Sequence, residues 1–165
     1  MRRKLMWCVL AVTLCSGTYA VVLLATPSSG FSATTLAKAR FGEIDVKNFT
    51  LPASSWQARL KTQGLSDVYV QSNVWAPGGT TGWHTHPGHS LILVTEGAIT
   101  VYERDDRDCV PRVYTEGMGL VDEGGDHVHL IRNETSEEVR TIAVQLIPAA
   151  ATRRIDAPAP GYCPF

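Results

Sequence analysis

Hydrophobic positions along the chain fall into two regimes. From Leu5 to Ala25 the sequence is uncharged for 21 residues, interrupted only by Thr13, Ser16, Gly17, Thr18 and Tyr19. After Gly64 the apolar residues come instead in short bursts rich in Val, Ile, Leu, Tyr and Thr: Val68 to Trp75, Ser90 to Thr95, Ala98 to Glu103, Arg112 to Tyr114, Gly119 to Val121, His127 to Arg132 and Val139 to Ile147. Pro, Gly, Asp and Asn punctuate the gaps, and Glu96–Gly97 makes the tightest hairpin. Short β-prone runs at this spacing predict an all-β sandwich or barrel. Between Phe31 and Leu65 the pattern is mixed: Thr34 to Arg40 and Ser54 to Lys61 read as short helical turns, and Glu43 to Thr50 as a strand. The expected organisation is therefore an export segment (1–30), an extension of mixed structure (31–66), a barrel (67–150) and a C-terminal tail (151–165).

Arg2, Arg3 and Lys4 directly precede the long apolar run. A basic start followed by an apolar helix is the pattern of an export signal. The run exceeds the usual signal core and approaches the roughly 20 residues that span a bilayer, so an uncleaved signal-anchor and a cleaved signal peptide both stay open. Basic residues stay on the cytoplasmic side in either case, which places the barrel outside, secreted or anchored to the cell membrane. Thr26 to Gly30 then serves as a cleavage region or a short stalk. Contact with a membrane is expected through this segment alone.

Composition changes meaning once the two regimes are separated. The whole chain has 15 basic and 16 acidic residues and a formal charge of −1; without Arg2, Arg3 and Lys4, 12 basic residues face 16 acidic ones, a balance of −4. No basic block lies in the exported part, which argues against nucleic-acid binding. A hydrophobic content of 44% excludes disorder for most of the chain. Of four cysteines, Cys8 and Cys15 sit in the apolar run, leaving Cys109 and Cys163 in the exported part. Two thiols in an oxidising compartment pair as a rule, so a disulfide is expected there; a zinc or redox role, poorly served without a CxxC spacing, and two free thiols are the alternatives.

All five histidines lie between positions 84 and 129, as His84, His86 and His89 and then His127 and His129. On a strand, residues i and i+2 share a face, so His84 and His86 can converge on one ion. A third imidazole from a neighbouring strand completes a facial set that leaves coordination positions open, the arrangement of a catalytic site. Gly78, five residues, then His84-Thr85-His86 and a closing Gly97 resemble the first motif of the cupin family, and His129 with Asn133 resembles the end of its second. The resemblance covers roughly Trp75 to Ile147. It implies a jelly roll, or double-stranded β-helix, with a divalent metal ion (Fe, Mn, Ni or Zn) inside, held by His84, His86 and His129. It also allows a homodimer through the sheets.

Two departures from that pattern matter. The family's glutamate falls on Ser90, a poor ligand, which leaves a three-histidine site whose uncompensated charge favours anionic or thiolate ligands. Before His129 stand Gly124, Gly125 and Asp126 in place of Pro-x-Gly. His127 is expected to share the face of His129, as a fourth ligand, a supporting group or a general base near the metal. His89, with Ser90, is a candidate for a further ligand, although a rim position suits it better. Tyr69, Trp75, Trp83, Tyr102 and Gln145 are candidates for a pocket lining, Trp83 being expected on the opposite face from His84. Functionally these residues suggest a metal-dependent oxygenase acting on a small polar or anionic molecule; a non-catalytic small-molecule-binding module at the cell surface and a metal-free structural domain are the alternatives.

Overall fold

The structure, a computed structural model, describes residues 25–49 and 55–165. The apolar run expected as an export segment, up to residue 24 with Cys8 and Cys15, lies outside the described residues. Twelve strands make up the regular structure there: β1 (Ser29–Phe41), β2 (Asp45–Phe49), β3 (Gln57–Lys61), β4 (Ser66–Thr80), β5 (His84–Thr85), β6 (Ser90–Glu96), β7 (Ala98–Glu103), β8 (Arg112–Thr115), β9 (Gly119–Asp122), β10 (His129–Arg132), β11 (Val139–Pro148) and β12 (Ile155–Asp156). Ten of them form one sheet in the path β12-β5-β10-β4-β11-β6-β9, with β1 added on β4, β7 on β10 and β8 on β7; β2 and β3 pair separately. Curled on itself, this sheet is a near-closed barrel of the jelly-roll kind, and no helix among the described residues is long and apolar enough to cross a membrane.

Alternation decides which side chains enter the barrel. On β6, Ser90, Ile92 and Val94 are buried while Leu91 and Leu93 are exposed. On β11, Val139, Thr141, Ala143, Gln145 and Ile147 are buried. The two strands run antiparallel with Gln145 opposite Ser90, Ala143 opposite Ile92 and Thr141 opposite Val94, so their inward residues form one continuous stripe. Trp75, Ile92, Val94, Ile99, Val101, Ile131, Val139 and Ala143 close into an apolar core at one end of it. A second cluster lies outside the barrel wall, where Trp83, Tyr102, Leu130, Ala157 and Cys163 pack together. Trp83 thus points away from His84, as regular alternation requires.

The N-terminal extension differs from its sequence reading. Thr34 to Arg40 is not a helical turn but part of β1, which pairs along β4 from Phe31 opposite Trp75 to Phe41 opposite Ser66. Most of its residues are exposed, so an apolar stripe was never there to betray it. What makes it a strand is the free hydrogen-bonding edge of β4, a tertiary partner that overrides a weak local preference. Gln57 to Lys61, also expected as helical, is β3 and pairs with β2. One charged clasp fixes β1: Asp67, fully buried, accepts from Arg40 Nε at 2.8 Å and Nη2 at 3.0 Å and from the Ala150 backbone N–H at 3.0 Å, and lies 3.2 Å from Lys38 Nζ. Those hydrogen bonds, Arg40 foremost, hold its carboxyl well below the usual carboxylate range.

The tail is likewise part of the body. Its strand β12 pairs with β5, Asp156 opposite His84 and Ile155 opposite Thr85. Cys109 and Cys163 form the expected disulfide, with Cα atoms 5.7 Å apart. That bridge ties the last residues to the loop between β7 and β8, against the cluster around Trp83.

Candidate metal centre

His84 on β5 stands directly opposite His129 on β10 in the strand register, and Thr85 between His84 and His86 turns outward to donate to the Gly125 carbonyl at 2.8 Å. His84, His86 and His129 are thereby brought together: their ring centroids are 4.4–5.7 Å apart, and one ligand nitrogen from each lies within 4.8 Å of the others. Nitrogens bound to one ion at about 2.1 Å sit roughly 3–4 Å apart, so small ring movements suffice for all three to coordinate. The three rings can hold a metal ion.

Hydrogen bonds assign the ring nitrogens. His84 Nδ1 donates to the Gly82 carbonyl at 2.9 Å, which leaves Nε2 as a lone pair. His86 Nδ1 faces the Arg153 carbonyl at 2.6 Å and the Gln145 amide nitrogen at 2.9 Å. A carbonyl can only accept, so the shorter contact puts the proton on Nδ1 and frees Nε2. Neither nitrogen of His129 has a hydrogen-bond partner, though both are buried. Burial above all, with neighbouring His129 next, drives the His84 pKa far below the usual histidine value. Burial lowers His129 to about 4 against the opposing pull of Asp122. Neutral rings with free lone pairs are what a divalent ion needs.

A carboxylate that sequence reasoning missed completes the cluster. Asp122 is buried on β9 and its Oδ2 lies 3.2 Å from His86 Nε2, while Oδ1 is 3.6 Å from His129 Nδ1 and accepts from the Gly124 N–H at 3.1 Å. Ser90, which stands where a glutamate was expected, is the cross-strand partner of Asp122. The strand expected at Gly119 to Val121 runs one residue further than the sequence indicated, and that residue is the acid.

The cluster opens into a cavity of about 210 Å³. Trp75, Ile92, Ile131 and Ala143 give it an apolar floor, and Ser90, Gln145, Arg153 and Arg154 line its polar side. Of the aromatic candidates, Trp75 lines it and Tyr69, Trp83 and Tyr102 do not. Arg153 donates from Nε to Gln145 Oε1 at 3.0 Å and from Nη1 to Thr35 Oγ1 at 3.1 Å, bonds Gln71 through Nη2, and lies over the Tyr69 ring at 4.1 Å. Among the described residues no carboxylate pairs with it, and burial lowers its pKa. Trp75 also keeps a buried indole N–H without a protein acceptor.

The remaining histidines sit elsewhere. His89 is exposed. His127 does not share the face of His129, because β10 begins only at His129 and His127 belongs to the preceding turn, its N–H donating to the Gly124 carbonyl at 3.1 Å. Its ring lies 3.5 Å from Glu103 and lines a separate hollow with Arg104, Asp105 and Asp126. Asn133 is structural: buried, it donates to the carbonyls of Trp75, Ala76 and Glu137 and accepts from Thr135.

Residues 73–145 match the family model described as the cupin domain. Similar solved structures include a cupin superfamily protein from Desulfitobacterium hafniense, 14% identical, with 70% of this chain and 83% of that one covered at a TM-score of 0.42. The cupin domain of an XRE family transcriptional regulator from Enterobacter cloacae is 16% identical over 71% of this chain and 96% of that one, at 0.43. Oxalate oxidase is 22% identical over 50% of this chain and 46% of its own, at 0.42, so the match spans about half of that enzyme. None of the curated proteins matches the sequence. His84, His86, Asp122 and His129 all fall within the matched span, so that residues 73–145 carry a cupin domain.

Proposed function

We propose that this barrel holds one divalent metal ion on His84, His86 and His129 and acts, outside the cytoplasm, as a metal-dependent oxidoreductase on a small anionic molecule. The observation that carries the metal is the convergence of one ligand nitrogen from each of three imidazoles to within 4.8 Å, with both ring nitrogens of His129 buried and without a protein partner. Buried polar groups of this kind are otherwise hydrogen-bonded, and three imidazoles suit Fe, Mn, Ni or Zn. When bound, such an ion supplies Lewis acidity or a site for O2.

The chain's own residues supply the rest. Gly82 and Arg153 carbonyls fix the tautomers of His84 and His86, so neither ring has to relocate its proton. Arg153, a guanidinium with only neutral partners, places an uncompensated positive charge in the cavity wall, and the Trp75 N–H adds a second donor. Both features select a ligand with negative oxygens, small enough for about 210 Å³. Export is supported by the basic-led apolar segment and by the Cys109–Cys163 bridge, which belongs to an oxidising compartment.

The test is elemental analysis of the purified full-length protein, followed by oxygen consumption with a panel of small carboxylates and thiols. Stoichiometric metal in the wild type and its loss in His86→Ala are expected, a fall beyond the roughly 10- to 100-fold seen when only a ligand's supporting bond is removed. A wild type without stoichiometric metal overturns the proposal. Bound metal with no turnover on any small anion would make the domain a binding module.

A further inference from the structure

We propose that Asp122 is a fourth protein ligand of the metal, a carboxylate delivered from β9 to the place that Ser90 on the adjoining strand leaves without a donor. The inference rests on the reading that His84, His86 and His129 hold a divalent ion.

Three observations carry it. First, Asp122 is a buried carboxylate with no Lys or Arg in ion-pair contact among the described residues; the rings beside its oxygens, His86 at 3.2 Å and His129 at 3.6 Å, are neutral imidazoles. An isolated carboxylate in such surroundings costs several kcal/mol unless a cation compensates it. Second, with the His86 proton on Nδ1, held by the Arg153 carbonyl at 2.6 Å, the Nε2 lone pair points at Asp122 Oδ2 across 3.2 Å. Two acceptors face one another, an arrangement that a shared cation resolves. Third, Oδ2 has no hydrogen-bond partner, whereas Oδ1 is fixed by the Gly124 N–H. One oxygen positions the side chain and the other is left to coordinate.

Charge and hardness follow from the assignment. A carboxylate brings a bound divalent ion to a formal +1 and adds an oxygen donor, which favours Mn2+ or Fe2+ relative to the more imidazole-loving Zn2+ and Cu2+. A residue that merely oriented His129 through a hydrogen bond would affect all of these ions alike.

The experiment strips metal from the full-length protein with a chelator and titrates Mn2+, followed by the EPR signal of the free ion, and Zn2+, by competition with a chelating dye. Asp122→Asn keeps the shape and the bond from Gly124. It is expected to weaken Mn2+ roughly 100-fold and Zn2+ less than about 10-fold. Adding Ser90→Glu to that variant returns a carboxylate from the cross-strand position, where Cβ atoms lie about 5 Å apart, and brings Mn2+ affinity back to within roughly 10-fold of wild type. Melting of the metal-free proteins checks that each is folded, and Asp122→Ser provides the same comparison if the Asn variant is not. Unchanged Mn2+ affinity in Asp122→Asn overturns the proposal, as does an equal loss for both ions that Ser90→Glu leaves unrepaired. A wild type that binds neither ion, no better than His86→Ala, would instead bring down the metal reading and the ligand assignment together.

Discussion

Along β6 the inward positions run Ser90, Ile92, Val94, and along the facing β11 they run Gln145, Ala143, Thr141. The same two strands, with the same alternation, therefore line two unlike ends of the barrel. At one end Ile92, Val94, Ile99, Val101 and Val139 pack with Trp75 and Ile131, and the polar residues beside them satisfy each other, Asn73 donating to Thr141 at 3.1 Å and Gln71 to Asn73 at 2.9 Å. At the other, His84, His86, Ser90, Asp122, His129 and Gln145 share a cavity in which nitrogens of His129 and an oxygen of Asp122 have no partner. Alternation settles which side chains go inside and is silent on what they do there. Apart from the Trp75 N–H, one end is complete by itself, and the other is complete only with something added.

The largest effect that tests this contrast belongs to the sealed end. Ile99→Ala removes a fully buried side chain and should lower unfolding free energy by about 2–5 kcal/mol in urea titrations. The loss should be the same with and without metal, and a metal-dependent loss would mean the two ends are not separate. Next comes pH, which should act on the open end alone. His129 is pulled from an ordinary 6.5 to about 4 by burial, so between those values the unfolded chain carries the proton and the folded one does not. Stability of the metal-free protein should therefore be full above pH 6.5 and fall by on the order of 3 kcal/mol as the pH drops to about 4, with His84 acting in the same direction. Urea midpoints at pH 7.5 and 4.5 measure it, and a flat profile would show that the ring is not held neutral. The smallest effect has the opposite sign. Replacing the partnerless ring by an apolar one, His129→Leu, should stabilise the metal-free protein by about 1 kcal/mol while abolishing metal binding. Destabilisation as large as that of Ile99→Ala would place His129 among the packing residues instead.

Much of this architecture could be read before folding was considered. Strands β4 and β6 to β11 announced themselves as short β-prone runs, and the pair Cys109 and Cys163 because the apolar segment separates them from the other cysteines. His84, His86 and His129 were legible through i, i+2 spacing and motif. Asp122 was not, since its relation to His86 exists only through the β6–β9 register, which sequence spacing does not encode. A signal was nevertheless available: a missing acid at Ser90 invites a search for an inward-facing acid on a neighbouring strand. His127 misled for a related reason. Period-two reasoning holds only inside a strand, and β10 starts two residues later. β1 stayed hidden because an exposed edge strand carries no burial pattern at all, and Arg153 because the tail reads as a polar end with nothing to dock on.

That docked tail has a consequence for when the centre comes into being. His84, His86, Asp122 and His129 are all synthesised before Arg153, whose carbonyl sets the tautomer of His86 from 67 positions further along the chain. Cys163, which holds the segment in place, follows later still and must then be oxidised. A nascent chain thus owns every proposed ligand well before it owns the group that readies one of them. With the metal site and the export proposed above, metal selection is in this way deferred to the finished, oxidised molecule, and the choice of ion falls to the compartment where maturation ends rather than the one where translation began.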